Sequence, residues 1–293
     1  GSVKVNLSRS WKINSGEGLD ALKNIENVIS GSGDDWLKGN SAENRLDAQD
    51  GRDRLDGRGG SDLLDGGNGN DRLDGGDGND ILIGGGGDDV LLGGSGDDRI
   101  VAGIGNDMIK GGSGIDTIVL ESGSVTVNLE KVGRQDTDLG SIRIRGDVEN
   151  IESGSGNDIL GGNVVSNLLD GGAGDDRLMG RDGDDILIGG QGDDWLIGGE
   201  GIDTAVVDDS GGVVVNLWRK SRYETGEGND KFEGIENVVS GSGDDRLAGN
   251  GLSNLLEAGE GSDRLDGRDG DDVIIGGAGD DELMGGAGAD VFR

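Results

Sequence analysis

Aspartate returns at every ninth residue from Asp53 through Asp62, Asp71, Asp80, Asp89, Asp98 and Asp107 to Asp116. The spacing resumes through Asp176, Asp185, Asp194 and Asp203, and again through Asp263, Asp272, Asp281 and Asp290. Asp35, Asp158 and Asp245 stand two spacings ahead of these three runs. Carboxylates in such numbers can move protons or hold a hard cation. The chain has no histidine and no cysteine, so the commonest general base, the commonest transition-metal ligand and any thiolate ligand are missing. For a chain this acidic the natural partners are cations, which carboxylate oxygens can ligate.

The carboxylates need elements to position them, and these come from the period. Cut in nines from Ser30, Ser153 and Ser240, the chain gives runs of ten, six and six units, such as GGDGNDILI and GGGGDDVLL, 22 in all. Position eight is apolar in every unit. Position six is Asp in 19 units and Asn in three, at Asn44, Asn167 and Asn254. Position four is Gly in 19, and its exceptions Ala42, Val165 and Leu252 fall in the three Asn units. Glycines at positions one, two and four permit positive φ and a tight six-residue turn. Positions seven to nine then form a short strand whose side chains alternate. Leu82, Leu91 and Ile100 point inward, while Ile81, Ile83, Val90 and Leu92 point outward. Two units make one coil, with one strand in each of two sheets.

The unit GGxGxDxUx, with U apolar, resembles the RTX, or haemolysin-type, calcium-binding nonapeptide repeat. The resemblance implies an all-β chain folded as a right-handed parallel β-roll, a kind of β-helix or solenoid. It implies Ca2+ in the turns and an exported parent protein that leaves the cell by type I secretion. The metal ligands are then the nineteen position-six aspartates: Asp35, Asp53, Asp62, Asp71, Asp80, Asp89, Asp98, Asp107, Asp116, Asp158, Asp176, Asp185, Asp194, Asp203, Asp245, Asp263, Asp272, Asp281 and Asp290. Carbonyls of the turns join them, for example those of Gly75, Gly84, Gly93, Gly189 and Gly276. Calcium takes six to eight hard oxygens, and magnesium, with its stricter octahedron, should substitute badly.

Charge supports the same reading. The chain has 293 residues, 60 acids against 26 bases, a net charge of −34, 31% hydrophobic residues and 2% aromatics. Such a composition describes a disordered chain. One inward side chain per nine ordered residues is a thin core, and metal at the turns supplies the missing stabilisation and cancels self-repulsion. Bridging of unit i to unit i+2 gives roughly a dozen ions. Nucleic acid and anionic membranes repel the chain, and no apolar run approaches the ~20 residues that span a membrane.

Three connectors break the period: VKVNL (Val3–Leu7) to IENVIS (Ile25–Ser30), VTVNL (Val125–Leu129) to VENIES (Val148–Ser153), and VVVNL (Val213–Leu217) to IENVVS (Ile235–Ser240). Each reads as two rungs flanking a polar excursion. The resulting segments are 3–119, 120–206 and 207–293, expected to stack as one continuous solenoid. Gly1-Ser2 reads as a cloning remnant, and the chain as a fragment of something longer. The excursions carry Trp11, Trp218, Tyr223, Arg219, Lys220 and Arg222, either as a recognition surface or as solvated loops over the roll. The Asn units read as metal-free turns held by side-chain bonds to the backbone. Outward Arg and Asp, as in Arg45/Asp47, Arg54/Asp56, Arg72/Asp74 and Arg264/Asp266, should form ladders of opposite charge. Outward apolar pairs such as Ile81/Ile83, Ile186/Ile188, Trp195/Ile197 and Val273/Ile275 should be covered by an excursion or by a further domain.

No catalytic constellation is present, so the chain reads as non-enzymatic. The favoured function is a structural and folding-promoting module of a secreted or cell-surface protein. Alternatives are an adhesin or ligand-binding surface for carbohydrate or protein, and an accessory module of a secreted enzyme.

Overall fold

The computed structural model describes residues 1–8, 12–14, 19–121, 123–207, 211–219 and 221–293. These contain 34 strands and no helix. The chain divides into two compact units, Gly1–Gly123 with Leu129–Asn150, and Ser124–Asn128 with Ile151–Arg293.

In the first unit, successive repeats send their strands alternately to two parallel sheets. Ile81–Ile83 pairs with Leu63–Asp65 on one side and Arg99–Val101 on the other. Val90–Ser95 pairs likewise with Arg72–Asp77 and Gly105–Ser113. Each strand thus meets the strand two units away, in register: Leu82 lies beside Leu64 and Ile100, and Leu91 beside Leu73 and Ile109. The position-eight side chains of both sheets form the core, with Leu46, Leu64, Leu73, Leu82, Leu91, Ile100, Ile109 and Ile118 fully buried. The second unit repeats the plan through Leu160, Leu169, Leu178, Leu187, Leu247, Leu256, Leu265 and Ile274. On its last rungs Leu283 is half-buried and Phe292 exposed.

Close coil-to-coil approach explains the glycines. Gly69 has φ +134°, and a Cβ there would run into the carbonyl of Gly51 one coil earlier. In the Asn units position four leaves the left-handed region, so Ala42, Val165 and Leu252 are tolerated there. Position two takes the opposite liberty: Arg58, Arg181 and Arg268 sit at φ 84°, 88° and 77°, in a region costly for a side-chain-bearing residue.

The connectors keep the two expected outer rungs but are not plain excursions between them. Their outer strands are rungs, as Lys4–Asn6, Thr126–Asn128 and Val214–Asn216 pair in parallel with the first repeat strand that follows each. In the second and third connectors part of the polar middle is a rung as well. Gly140–Ile144 pairs in parallel with Gly105–Ser113 and folds back on Gly133–Thr137. Asn229–Glu233 pairs in parallel with Trp195–Glu200 and folds back on Arg222–Glu224.

On the outer faces in-register stacking sets Arg54 beside Arg72 and Asp56 beside Asp74, so an arginine column runs beside an aspartate column. Neutralisation comes within a strand, Arg45 to Asp47 at 3.7 Å and Arg72 to Asp74 at 3.9 Å, while Arg264 turns to Glu282 instead of Asp266. These surface pairs contribute little to stability. Trp195 is not an open apolar patch, since Arg177 and Lys231 stack over its ring at 3.9 and 3.8 Å. Ile81 and Ile186 stay exposed.

Candidate metal centre

Each turn delivers its position-six aspartate just before a strand, and stacking lines these residues up along the edges of each unit. The carboxylate is divided between two tasks. Oδ1 accepts the backbone N–H of the position-six residue one coil earlier: Asp71 from Asp53 at 2.7 Å, Asp89 from Asp71 at 2.8 Å, Asp98 from Asp80 at 2.8 Å, and Asp194 from Asp176 at 2.8 Å. The link between turns i and i+2 therefore includes a carboxylate-to-amide bond, which spacing alone did not reveal. At the head of each run Asp35, Asp158 and Asp245 accept instead from the connector amides of Val3, Val125 and Val213.

Oδ2 has the other task. In Asp62, Asp71, Asp80, Asp89, Asp116, Asp203 and most of their counterparts it is buried and has no hydrogen-bond partner. A buried carboxylate oxygen left unmatched is costly. A carbonyl stands beside it. A Cβ placed on Gly66 would lie 2.6 Å from Asp71 Oδ2 and 2.7 Å from the carbonyl oxygen of Gly84. The same holds for Gly75 beside Asp62, Gly93 beside Asp80 and Gly189 beside Asp176. Gly276 is different, because the residue one coil before it is the buried Ala258. Three of the nineteen aspartates also stand apart: Asp281 and Asp290 are only half-buried, and Asp245 Oδ2 accepts the Ser240 hydroxyl at 2.5 Å.

Electrostatics agree with the geometry. Burial raises the carboxyls of Asp53, Asp62, Asp71, Asp80, Asp98, Asp107, Asp116 and Asp203 to about 6. It raises Asp89, Asp176, Asp185 and Asp194 to about 7. The amide bonds oppose this rise, and neighbouring carboxylates add to it. The column thus lacks positive charge. No group of three acidic, imidazole or thiol side chains converges among the described residues. The donors are instead one or two carboxylates with main-chain carbonyls, an all-oxygen set that suits calcium's large and flexible shell.

The three Asn turns are closed without a cation. Asn44, Asn167 and Asn254 Oδ1 accept the N–H of Asn40, Asn163 and Asn250 in the same turn, at 2.7, 2.7 and 2.8 Å. Asn44 Nδ2 donates to the carbonyl of Glu26 and Asn254 Nδ2 to that of Glu236, at 3.0 and 2.6 Å. The amide NH2 donates where an aspartate has only an acceptor.

Several contributors escaped the sequence reading. Asp230 occupies position six of a rung hidden in the third connector, its Oδ1 accepting from the Asp194 amide at 2.9 Å and its Oδ2 from the Thr225 hydroxyl at 2.7 Å. The signal was there in Gly226, Gly228, Asp230 and Phe232, which keep the repeat's spacing of two. Position five makes its own ladder: Asn70 accepts the amide of Asp88, and Asn79 that of Asp97, both at 3.0 Å. Asp88 and Asp193, on the same ladder, are held below the usual carboxylate range by bonds from Asn106 and Asn229. Of the excursion residues, Trp218 is exposed, Tyr223 donates to the Arg219 carbonyl, and Arg222 donates to the Asn229 carbonyl. Trp11 and Lys220 lie outside the described residues.

The profile of the RTX calcium-binding nonapeptide repeat, four copies long, matches residues 29–64, 56–91, 65–100, 83–118, 92–126, 170–205 and 257–292, together more than half of the chain. A search of the curated proteins finds no match. Period, fold and profile agree: the chain belongs to the RTX family of calcium-binding nonapeptide repeats, and its β-roll is a structural calcium-binding module.

Proposed function

We propose that this chain is the calcium-dependent folding module of an exported protein, threadable where calcium is scarce and rigid where it is abundant. The observation that carries the reading is the column of buried Oδ2 atoms with no partner. The position-six aspartates hold the turns in register through Oδ1, and through Oδ2, with the position-one carbonyls, they would bind roughly a dozen ions. Calcium supplies the positive charge that a chain of net charge −34 lacks. Without it, like-charged turns oppose stacking. Affinities of about 10⁻⁴–10⁻³ M, as in extracellular modules, would leave the chain unfolded in the cytosol and fold it outside. This fits passage through a type I secretion channel and a place outside the cell or on its surface. Because neighbouring coils share each link, folding should spread from a nucleus, as in other one-dimensional stacks.

The test is far-ultraviolet circular dichroism during a calcium titration, with magnesium as control. A steep coil-to-strand transition in calcium and little change in magnesium supports the proposal. A full strand spectrum in chelator at neutral pH defeats it.

A further inference from the structure

The last position-six aspartates of the first two runs are Asp116 and Asp203; connectors take over after them, yet the register continues. Thr204 pairs with Asn237 and Ala205 with Val238, so Glu236 falls at the place that position six holds in a repeat. Its Oε2 accepts the Asp203 N–H at 3.0 Å. Glu149 Oε2 accepts the Asp116 N–H at 2.9 Å. Both bonds copy the aspartate Oδ1 bonds between repeats. Side chains fix the register too, with Asn150 donating to Thr117 and Asn237 to Thr204, each at 3.3 Å.

The carbonyl half of the arrangement is copied as well. A Cβ on Gly111 would meet Asp116 Oδ2 and the carbonyl of Asp147, and one on Gly198 would meet Asp203 Oδ2 and the carbonyl of Gly234. Asp147 and Gly234 each sit two residues before the glutamate, with φ of 56° and 63°. Asp116 and Asp203 are 0% exposed, and their Oδ2 atoms have no hydrogen-bond partner. Two connectors whose polar middles differ in sequence have thus built the same group of hard oxygens around an orphaned carboxylate oxygen.

We propose that Glu149 and Glu236 are calcium ligands, each completing with Asp116 or Asp203 a metal site that the nonapeptide pattern does not contain. The inference rests on the calcium reading of the repeats and extends it through the connectors, where the run of ions would otherwise stop.

Native mass spectrometry of the full chain in saturating calcium counts the ions. Glu149→Gln and Glu236→Gln should each lower the count by one, and the double variant by two. Glutamine still accepts the aspartate amide, so the strand spectrum should persist. Asp80→Asn, within the repeats, is the reference and should also lower the count. If Asp80→Asn lowers it and both glutamine variants match the parent chain, this inference is overturned and the calcium reading stands. If Asp80→Asn leaves the count unchanged, or the parent chain carries no ions, the calcium reading itself falls. Should the glutamine variants fail to fold, anomalous scattering from crystals of the parent chain grown in calcium decides. A peak within about 2.3–2.6 Å of carboxylate oxygens of both Asp116 and Glu149 supports the site. Its absence beside peaks in the repeats overturns it.

Discussion

The roll closes its turns in two ways. At Asp71 or Asp89 the side chain receives an amide on one oxygen and leaves the other buried and unmatched. At Asn44 or Asn254 the oxygen in that second place accepts an amide of its own turn, and an NH2 group replaces the first oxygen and donates to a carbonyl one coil earlier. The two side chains are nearly isosteric, so the difference is chemical. An acceptor-only group among acceptors requires a cation, whereas a group that both donates and accepts is complete without one. The structure thus contains its own control: turns that depend on metal beside turns that do not.

The largest effect that could break this comparison is metal removal. Excess chelator at neutral pH should abolish most of the strand signal, because the three Asn turns cannot hold the stack alone. Retention of the full signal would mean that the two kinds of turn are equivalent.

Protons should partly replace the metal, and only at the aspartate turns. Their carboxyls are raised by burial from 3.8 to about 6 or 7. A folded-state value above the unfolded one stabilises the fold below the unfolded value, and that stability is lost as pH rises through the folded one. In chelator, the strand signal should therefore grow as pH falls from 7 towards 4. In calcium, affinity should fall across the same window as protons compete for the oxygens. A metal-free chain equally unfolded at pH 4 and pH 7 would contradict this.

Substitutions probe single turns. Gly69→Ala forces a side chain into the left-handed region and against the Gly51 carbonyl. It should cost about 1–3 kcal/mol, read as a higher calcium midpoint. Asn44→Asp removes the Nδ2 bond to Glu26 and sets a carboxylate among carbonyls. It should cost about 1–3 kcal/mol in thermal melts in calcium, and a stabilised variant would show that the Asn turn was only a tolerated defect. Smallest of all, Arg72→Ala on the outer face should change stability by about 0–1 kcal/mol, equally with and without calcium.

Most of the repeat architecture was readable from local pattern. Position eight gave the core from Leu37 to Ile274, and position six gave the aspartates of the turn columns. The connectors were harder to read. Glu149 and Glu236 lie 33 residues from the aspartates they face, and Asp230 lies 36 residues from Asp194. The repeats' 18-residue spacing does not mark such pairs. The rung Asn229–Glu233 follows the repeat's own spacing in a single copy only, and a period becomes visible when it is repeated.

By itself the sequence determined the nine-residue period, the alternation of turn and strand, the inward apolar column and the need for a cation, because each follows from residue type and local spacing. Only the tertiary structure decided which oxygen of each aspartate meets an amide and which is left over, and which connector residues enter the stack. These outcomes depend on register between coils 18 or more residues apart, and that register is fixed when the coils stack on one another.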